Sequence, residues 1–122
     1  MQAVLAVMNR PFVWGTADCC TSACDVFLRL WGVDPMQPLR GLYASKDEAT
    51  AIIRARGGWR RMAQGLADAA GLVGGCGEAG EIGLVRLNDG FALGVALGHG
   101  QWAGPVDGGF QTVGPAVLSW AR

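Results

Sequence analysis

Four cysteines, Cys19, Cys20, Cys24 and Cys76, and a single histidine, His99, are the side chains of this 122-residue chain best suited to covalent chemistry. Three of the thiols fall within six positions, directly after Asp18. With Thr16 or Asp18 as the cap, the apolar stripe Cys20, Ala23, Cys24, Phe27 and Trp31 predicts a helix over residues 19–31 that Cys19 opens. A thiol at the first turn of a helix faces unpaired amides and the positive end of the dipole, which lowers its pKa and populates thiolate. Amide hydrolysis by such a thiolate also requires an imidazole within hydrogen-bond reach and a third polar group to orient the ring.

The only imidazole is His99, between Gly98 and Gly100 in a predicted turn, where a solvated turn residue is the simplest reading. Asp18 and Asp25 read as a helix cap and as an exposed partner of Arg29, not as an acid–base pair. No cysteine pair has the two-residue gap of a zinc ribbon, and a cluster would need Cys76 to fold back, so the thiols read as small buried side chains with no metal and no cofactor. The five tryptophans share no spacing that would line a sugar groove and read as packing anchors.

The elements that must hold these residues follow from periodicity. Residues 1–10 predict a short helix with Val4, Leu5 and Met8 on one side, ended by Pro11. Phe12-Val13-Trp14-Gly15 is extended, the 19–31 helix ends at Gly32, and residues 32–43 form a wrapped loop. Ser45-Lys46-Asp47-Glu48 is a capping box that starts a second helix, which stops at Gly57-Gly58, and Trp59, Met62, Leu66 and Ala69 mark a third. Residues 72–80 read as the one flexible connection. Glycine-punctuated alternation then predicts strands over 81–87, 91–97, 101–103 and 110–113, the first two joined at Asn88-Asp89-Gly90, with a final helical turn opened by Pro115. Helices first and an antiparallel sheet second make one α+β domain over residues 1–122, with Phe27 and Trp31 buried between helix and sheet.

Composition narrows the partners. Ten basic and ten acidic residues balance, with no run of either sign, which argues against nucleic acid. No apolar run approaches the ~20 residues of a membrane span. The start has neither a basic leader nor a small-residue cleavage site, so no export signal is expected. With 51% hydrophobic and 16% charged residues, part of the surface is expected to be buried against other proteins, with residues 4–8 and 36–43 the most exposed apolar segments.

The segments Phe12-Val13-Trp14-Gly15, Asp18-Cys19 and Gly80-Glu81 resemble the NlpC-type family of cell-wall amidases, which have a papain-like fold. Asp18-Cys19-Cys20, Arg40-Gly41-Leu42-Tyr43, Gly57-Gly58 and Ser119-Trp120 are similar to a branch of that superfamily encoded among the tail genes of phages and phage-like particles. The resemblance implies a papain-like α+β fold, Cys19 as the nucleophile or its vestige, and Trp14 and Asp18 beside a peptide groove. Threading the family pattern puts its histidine at Ala92 and its third polar group near Gly104, and neither residue can take a proton. The resemblance therefore implies a degenerate amidase domain serving as a structural component of a phage-like tail tip or hub. Such a domain contacts other tail and baseplate proteins, is carried in the virion tail and is assembled in the bacterial cytoplasm. Two alternatives stay open: an active cysteine peptidase cleaving peptidoglycan with Cys19 and either His99 or a base from a neighbouring subunit, and a noncatalytic module binding cell-wall peptides.

Overall fold

The computed structural model describes residues 1–88 and 90–122, and these fold as an α+β unit with four helices and a six-stranded, wholly antiparallel sheet. The helices are α1 (Gln2–Met8), α2 (Thr21–Trp31), α3 (Lys46–Ala55) and α4 (Trp59–Ala69). The strands are β1 (Val73–Gly74), β2 (Ile82–Leu87), β3 (Gly90–Gly98), β4 (Gln101–Val106), β5 (Gly109–Val113) and β6 (Leu118–Ala121), in the spatial order β1-β6-β2-β3-β4-β5. The turn predicted at Asn88-Asp89-Gly90 rests in part on Asp89, which lies outside the described residues. Leu87 and Gly90 pair across β2 and β3.

Helix α2 lies on the sheet against β2, β3 and β4, as its apolar stripe predicts. Ala23, Cys24, Val26 and Phe27 are fully buried there, in a core completed by Met62 and Leu66 of α4, Leu84 of β2, Leu93 and Val95 of β3, and Trp120 of β6. A second, smaller cluster gathers Val85, Leu87, Ala92, Ala96 and Trp102 from β2, β3 and β4, with Cys19 packed against it. Cys19 therefore touches both clusters, at the seam between helix and sheet.

Several expectations change. Trp31 is 39% exposed, because it is the last residue of α2 and has cleared the sheet; its indole N–H donates to the Gly80 carbonyl at 3.0 Å. The C-terminus is strand β6, not a helical turn, since β2 has an edge to fill and Trp120 gains burial by pairing there. Val4 and Met8 are buried under α2, leaving Leu5 exposed, while Met36, Leu39 and Tyr43 fold into the core and Leu42 stays outside. Asp25 does not pair with Arg29: it accepts from Arg10 and Arg40, each at 2.6 Å, and Arg40 also binds Asp34 at 2.7 Å. That network ties α1's exit and the 32–43 loop to the polar side of α2. Residues 72–80 are not featureless either, for they contain β1 and a loop gathered around Glu81.

Candidate functional site

Helix α2 begins at Thr21, two residues later than expected, so Cys19 and Cys20 occupy a tight turn just before it. Cys20 is the N-cap residue, and Asp18 just upstream, 1% exposed, organises the whole turn through its carboxylate. Oδ1 accepts from the Cys20 and Thr21 amides at 2.8 and 2.9 Å and from the Thr21 hydroxyl at 3.1 Å. Oδ2 accepts from the Gly15 amide at 2.8 Å and the Tyr43 hydroxyl at 2.6 Å. In return the Asp18 amide donates to Thr21 Oγ1 at 2.8 Å. Orphan amides at a helix start need acceptors, and a buried carboxylate supplies two strong ones.

The preceding segment folds back on itself. Val13 and Ala17 exchange backbone hydrogen bonds at 3.0 and 2.8 Å, which forces a reversal at Gly15. Gly15 has φ +91° and its α-carbon faces the Tyr43 carbonyl so closely that any side chain would collide with it; only glycine serves both demands. Trp14 is thereby held half-buried, with its ring edge-on to Phe12 at 4.9 Å. On the other side the Leu93 amide of β3 donates to the Cys19 carbonyl at 2.9 Å, fixing the turn against the sheet.

Cys19 opens onto a groove of about 230 Å³ walled by Trp14, Tyr43, Ile53, Trp59 and Phe91, with Lys46 and Thr50 at its polar side. Trp59 and Phe91 stand 6.3 Å apart, so α4 and β3 close one wall with aromatic rings. The neighbouring Cys20 thiol, directed at the Cys19 sulfur, holds Cys19 below the ordinary thiol pKa, overcoming burial and the nearby Asp18 charge. The same interaction, reinforced by burial, pushes Cys20 well up. Of the pair, Cys19 is therefore the sulfur that ionises first.

The predicted site residues are thus only partly assembled. Trp14, Asp18 and Cys19 all border one groove. Asp18 does so with both oxygens already committed to its own chain, which makes it a positioning residue and not a free contact for a ligand. His99 is exposed, at φ +55° in the β3–β4 turn, whereas the groove meets β3 at Gly90 and Phe91. Seven positions along the chain separate His99 from Ala92, roughly 23 Å at ~3.3 Å per residue. Ala92 itself is fully buried in the cluster that Cys19 packs against.

Glu81, which the sequence places in the Gly80-Glu81 pair, is 5% exposed and lies away from the groove. Its carboxylate accepts from the Cys76, Gly77 and Glu78 amides at 3.2, 2.9 and 3.0 Å. Sequence reasoning missed Cys20, Tyr43, Trp59 and Phe91 as groove residues. Tyr43 closes the Arg40-Gly41-Leu42-Tyr43 segment, but nothing local signals that its hydroxyl reaches a carboxylate 25 positions earlier.

One family model, described as a domain of unknown function (DUF6950), matches residues 1–121 of the chain. No curated protein matches it. No solved structure matches it.

Proposed function

The chain belongs to the DUF6950 family, and we propose that it is a noncatalytic domain of papain-like, NlpC-type descent that serves as a structural part of a phage-like tail tip or hub. One observation carries the noncatalytic half of the reading. Where the amidase pattern threads its histidine, the chain has Ala92, a fully buried methyl in the cluster that Cys19 packs against. The nucleophile's turn is kept and the base is replaced by packing. Gly104, threaded at the orienting position, has no side chain to hold a ring. Carboxylates do not substitute, because negative charge beside a thiol opposes thiolate formation.

The tail context rests on the sequence resemblance, and the surface supports an assembled state. Leu5, Leu28, Leu30, Trp31, Leu42 and Val73 are all exposed, an apolar surplus that contact with other tail or baseplate proteins would cover. Among the described residues no helix is long and apolar enough to cross a membrane.

A second reading has an observation of its own. The lowered pKa of Cys19 and its opening onto a groove are what a peptidoglycan peptidase would use, given a base from a neighbouring subunit. The test is release of stem peptides from purified peptidoglycan by the wild-type chain and by Cys19→Ala, alone and within its particle. The expected result is no release by either, with folding and assembly of the variant intact. Hydrolysis by the wild type that Cys19→Ala abolishes would replace the proposal with the peptidase reading.

A further inference from the structure

We propose that Cys19 and Cys20 form a two-sulfur chelate, opening on the groove, for one soft thiophilic centre that carries a small apolar group, with a trivalent organoarsenical as its chemical prototype. The Sγ atoms of Cys19 and Cys20 and an oxygen of Asp18 lie within 4.8 Å of one another. Both residues line the same groove, Cys19 half-buried and Cys20 buried. The carboxylate of Asp18 is already saturated by two loop and helix-start amides, an amide of the Asx turn and two hydroxyls, so it is not a free hard ligand. What remains is sulfur alone, and thiolate donors select soft centres.

The number of sulfurs narrows the class further. Structural zinc takes four ligands in a tetrahedron, and the other two cysteines do not supply them. Cys24 is fully buried a helical turn further on and does not reach the groove, and Cys76 is exposed beside Glu81. The pair also resists closing on itself. Adjacent residues across a trans peptide have α-carbons ~3.8 Å apart, below the ~4.4–6.8 Å of ordinary disulfides, so the two sulfurs stay available as a dithiol.

The chemistry balances without an oxidant. Sγ of Cys19, the sulfur that ionises first, attacks the arsenic of a dihydroxy arsenical, one As–O bond breaks, and the departing hydroxide leaves with the Cys19 proton as water. Cys20 repeats the exchange, its proton leaving with the second hydroxide. Two S–H and two As–O bonds are replaced by two As–S bonds and two waters, and arsenic remains trivalent throughout. The organic group is then placed between Trp14, Ile53, Trp59 and Phe91, whose apolar walls enclose a space of about 230 Å³. The proposal rests on the placement of the two thiols and not on the amidase ancestry, so the two readings fail independently.

The experiment exposes the full-length chain to phenylarsine oxide, challenges it with excess glutathione, and reads intact and peptide masses. The expected result is one phenylarsenic group per chain, mapped to the peptide that holds Cys19 and Cys20, surviving glutathione and removed by dimercaptopropanol. That adduct should be lost in Cys19→Ser and in Cys20→Ser and retained in Cys76→Ser. Cys20 is buried, so near-ultraviolet circular dichroism checks that its variant is folded; Cys19 is partly exposed, and its variant decides the matter alone. A wild-type chain with no glutathione-resistant adduct, an adduct that persists in folded Cys19→Ser, or one that disappears in Cys76→Ser would overturn the proposal.

Discussion

Replacing Asp18 by alanine tests the structural claim on which the site depends, that one buried carboxylate holds the Cys19–Cys20 turn. The substitution strands the Gly15, Cys20 and Thr21 amides and the Tyr43 hydroxyl, the four donors served most closely, at 2.6–2.9 Å, and frees the Thr21 hydroxyl, now at 3.1 Å. Each hydrogen bond to a charged acceptor is worth ~1.5–3 kcal/mol, and a buried donor left alone costs ~1–3 kcal/mol. The four are not additive, because they share an acceptor and because the alanine leaves room for a water to serve some of them. The expected loss is about 3–4 kcal/mol. A chain of 122 residues has a total stability on the order of 6–18 kcal/mol, so the loss is large without being fatal in most of that range. With a urea slope of ~2 kcal/mol per molar, the midpoint falls by roughly 1.5–2 M at unchanged slope. The cycle with Tyr43→Phe isolates the cause. That change should cost about 1–2 kcal/mol in the wild type and almost nothing beside Asp18→Ala, since the hydroxyl's acceptor is already gone. An Asp18→Ala loss below about 1 kcal/mol, or two costs that simply add, would refute the account of Asp18 as the organiser.

Three further outcomes follow from the same structure. Phe27→Ala should destabilise by about 3–5 kcal/mol and Trp31→Ala by about 1 kcal/mol or less, because Phe27 is fully buried and Trp31 has left the core; paired urea curves check the order. Glu81→Gln should cost about 1–3 kcal/mol at neutral pH, and the wild-type advantage should shrink on acidification. Burial disfavours the Glu81 charge, but the Gly77, Cys76 and Glu78 amides outweigh it and hold the pKa below its ordinary 4.5. A depressed carboxylate pKa stabilises fully above that ordinary value and loses its contribution as pH falls through the folded one, so the wild-type and Glu81→Gln stabilities, apart at pH 7, should draw together progressively as pH falls below 4.5. Gly83→Ala should cost about 1–3 kcal/mol, since its β-carbon would stand 2.6 Å from the Trp102 ring and 2.8 Å from the Leu118 carbonyl; a thermal melt unchanged within a degree would contradict that packing.

The short-range features of this chain were legible in the amino acids themselves. Ser45 caps α3 as the pattern predicts, with the Glu48 amide donating to Ser45 Oγ at 3.2 Å, while Glu48 Oε1 accepts from the Ala44 amide at 3.0 Å in place of the Ser45 amide. Gly32 ends α2 in the left-handed conformation with its amide on the Leu28 carbonyl, and the apolar stripe of α2 meets the sheet. Such features depend on neighbours a few residues away, where spacing and side-chain type decide the outcome. The four main strands were likewise visible as alternation between turns.

What the tertiary structure alone decided are the long-range choices. Residues 118–121 became a strand only because β2 had an unpaired edge, a fact no local pattern contains. Asp25 chose Arg10 and Arg40 over Arg29, one turn along the helix, because folding brings both guanidinium groups to its partly buried side. The candidate site is of the same kind. Cys19 was singled out from its expected place in the first turn of a helix, which the structure moves to the turn just before it, and the separation of His99 from Ala92 followed from strand length. That Tyr43 would lock Asp18, that Cys20 would share the groove, and that Trp59 and Phe91 would wall it were set by how α3, α4 and β3 pack around the turn. A hydrogen bond or an aromatic wall between residues tens of positions apart is a property of packing, and packing is decided by the whole chain at once.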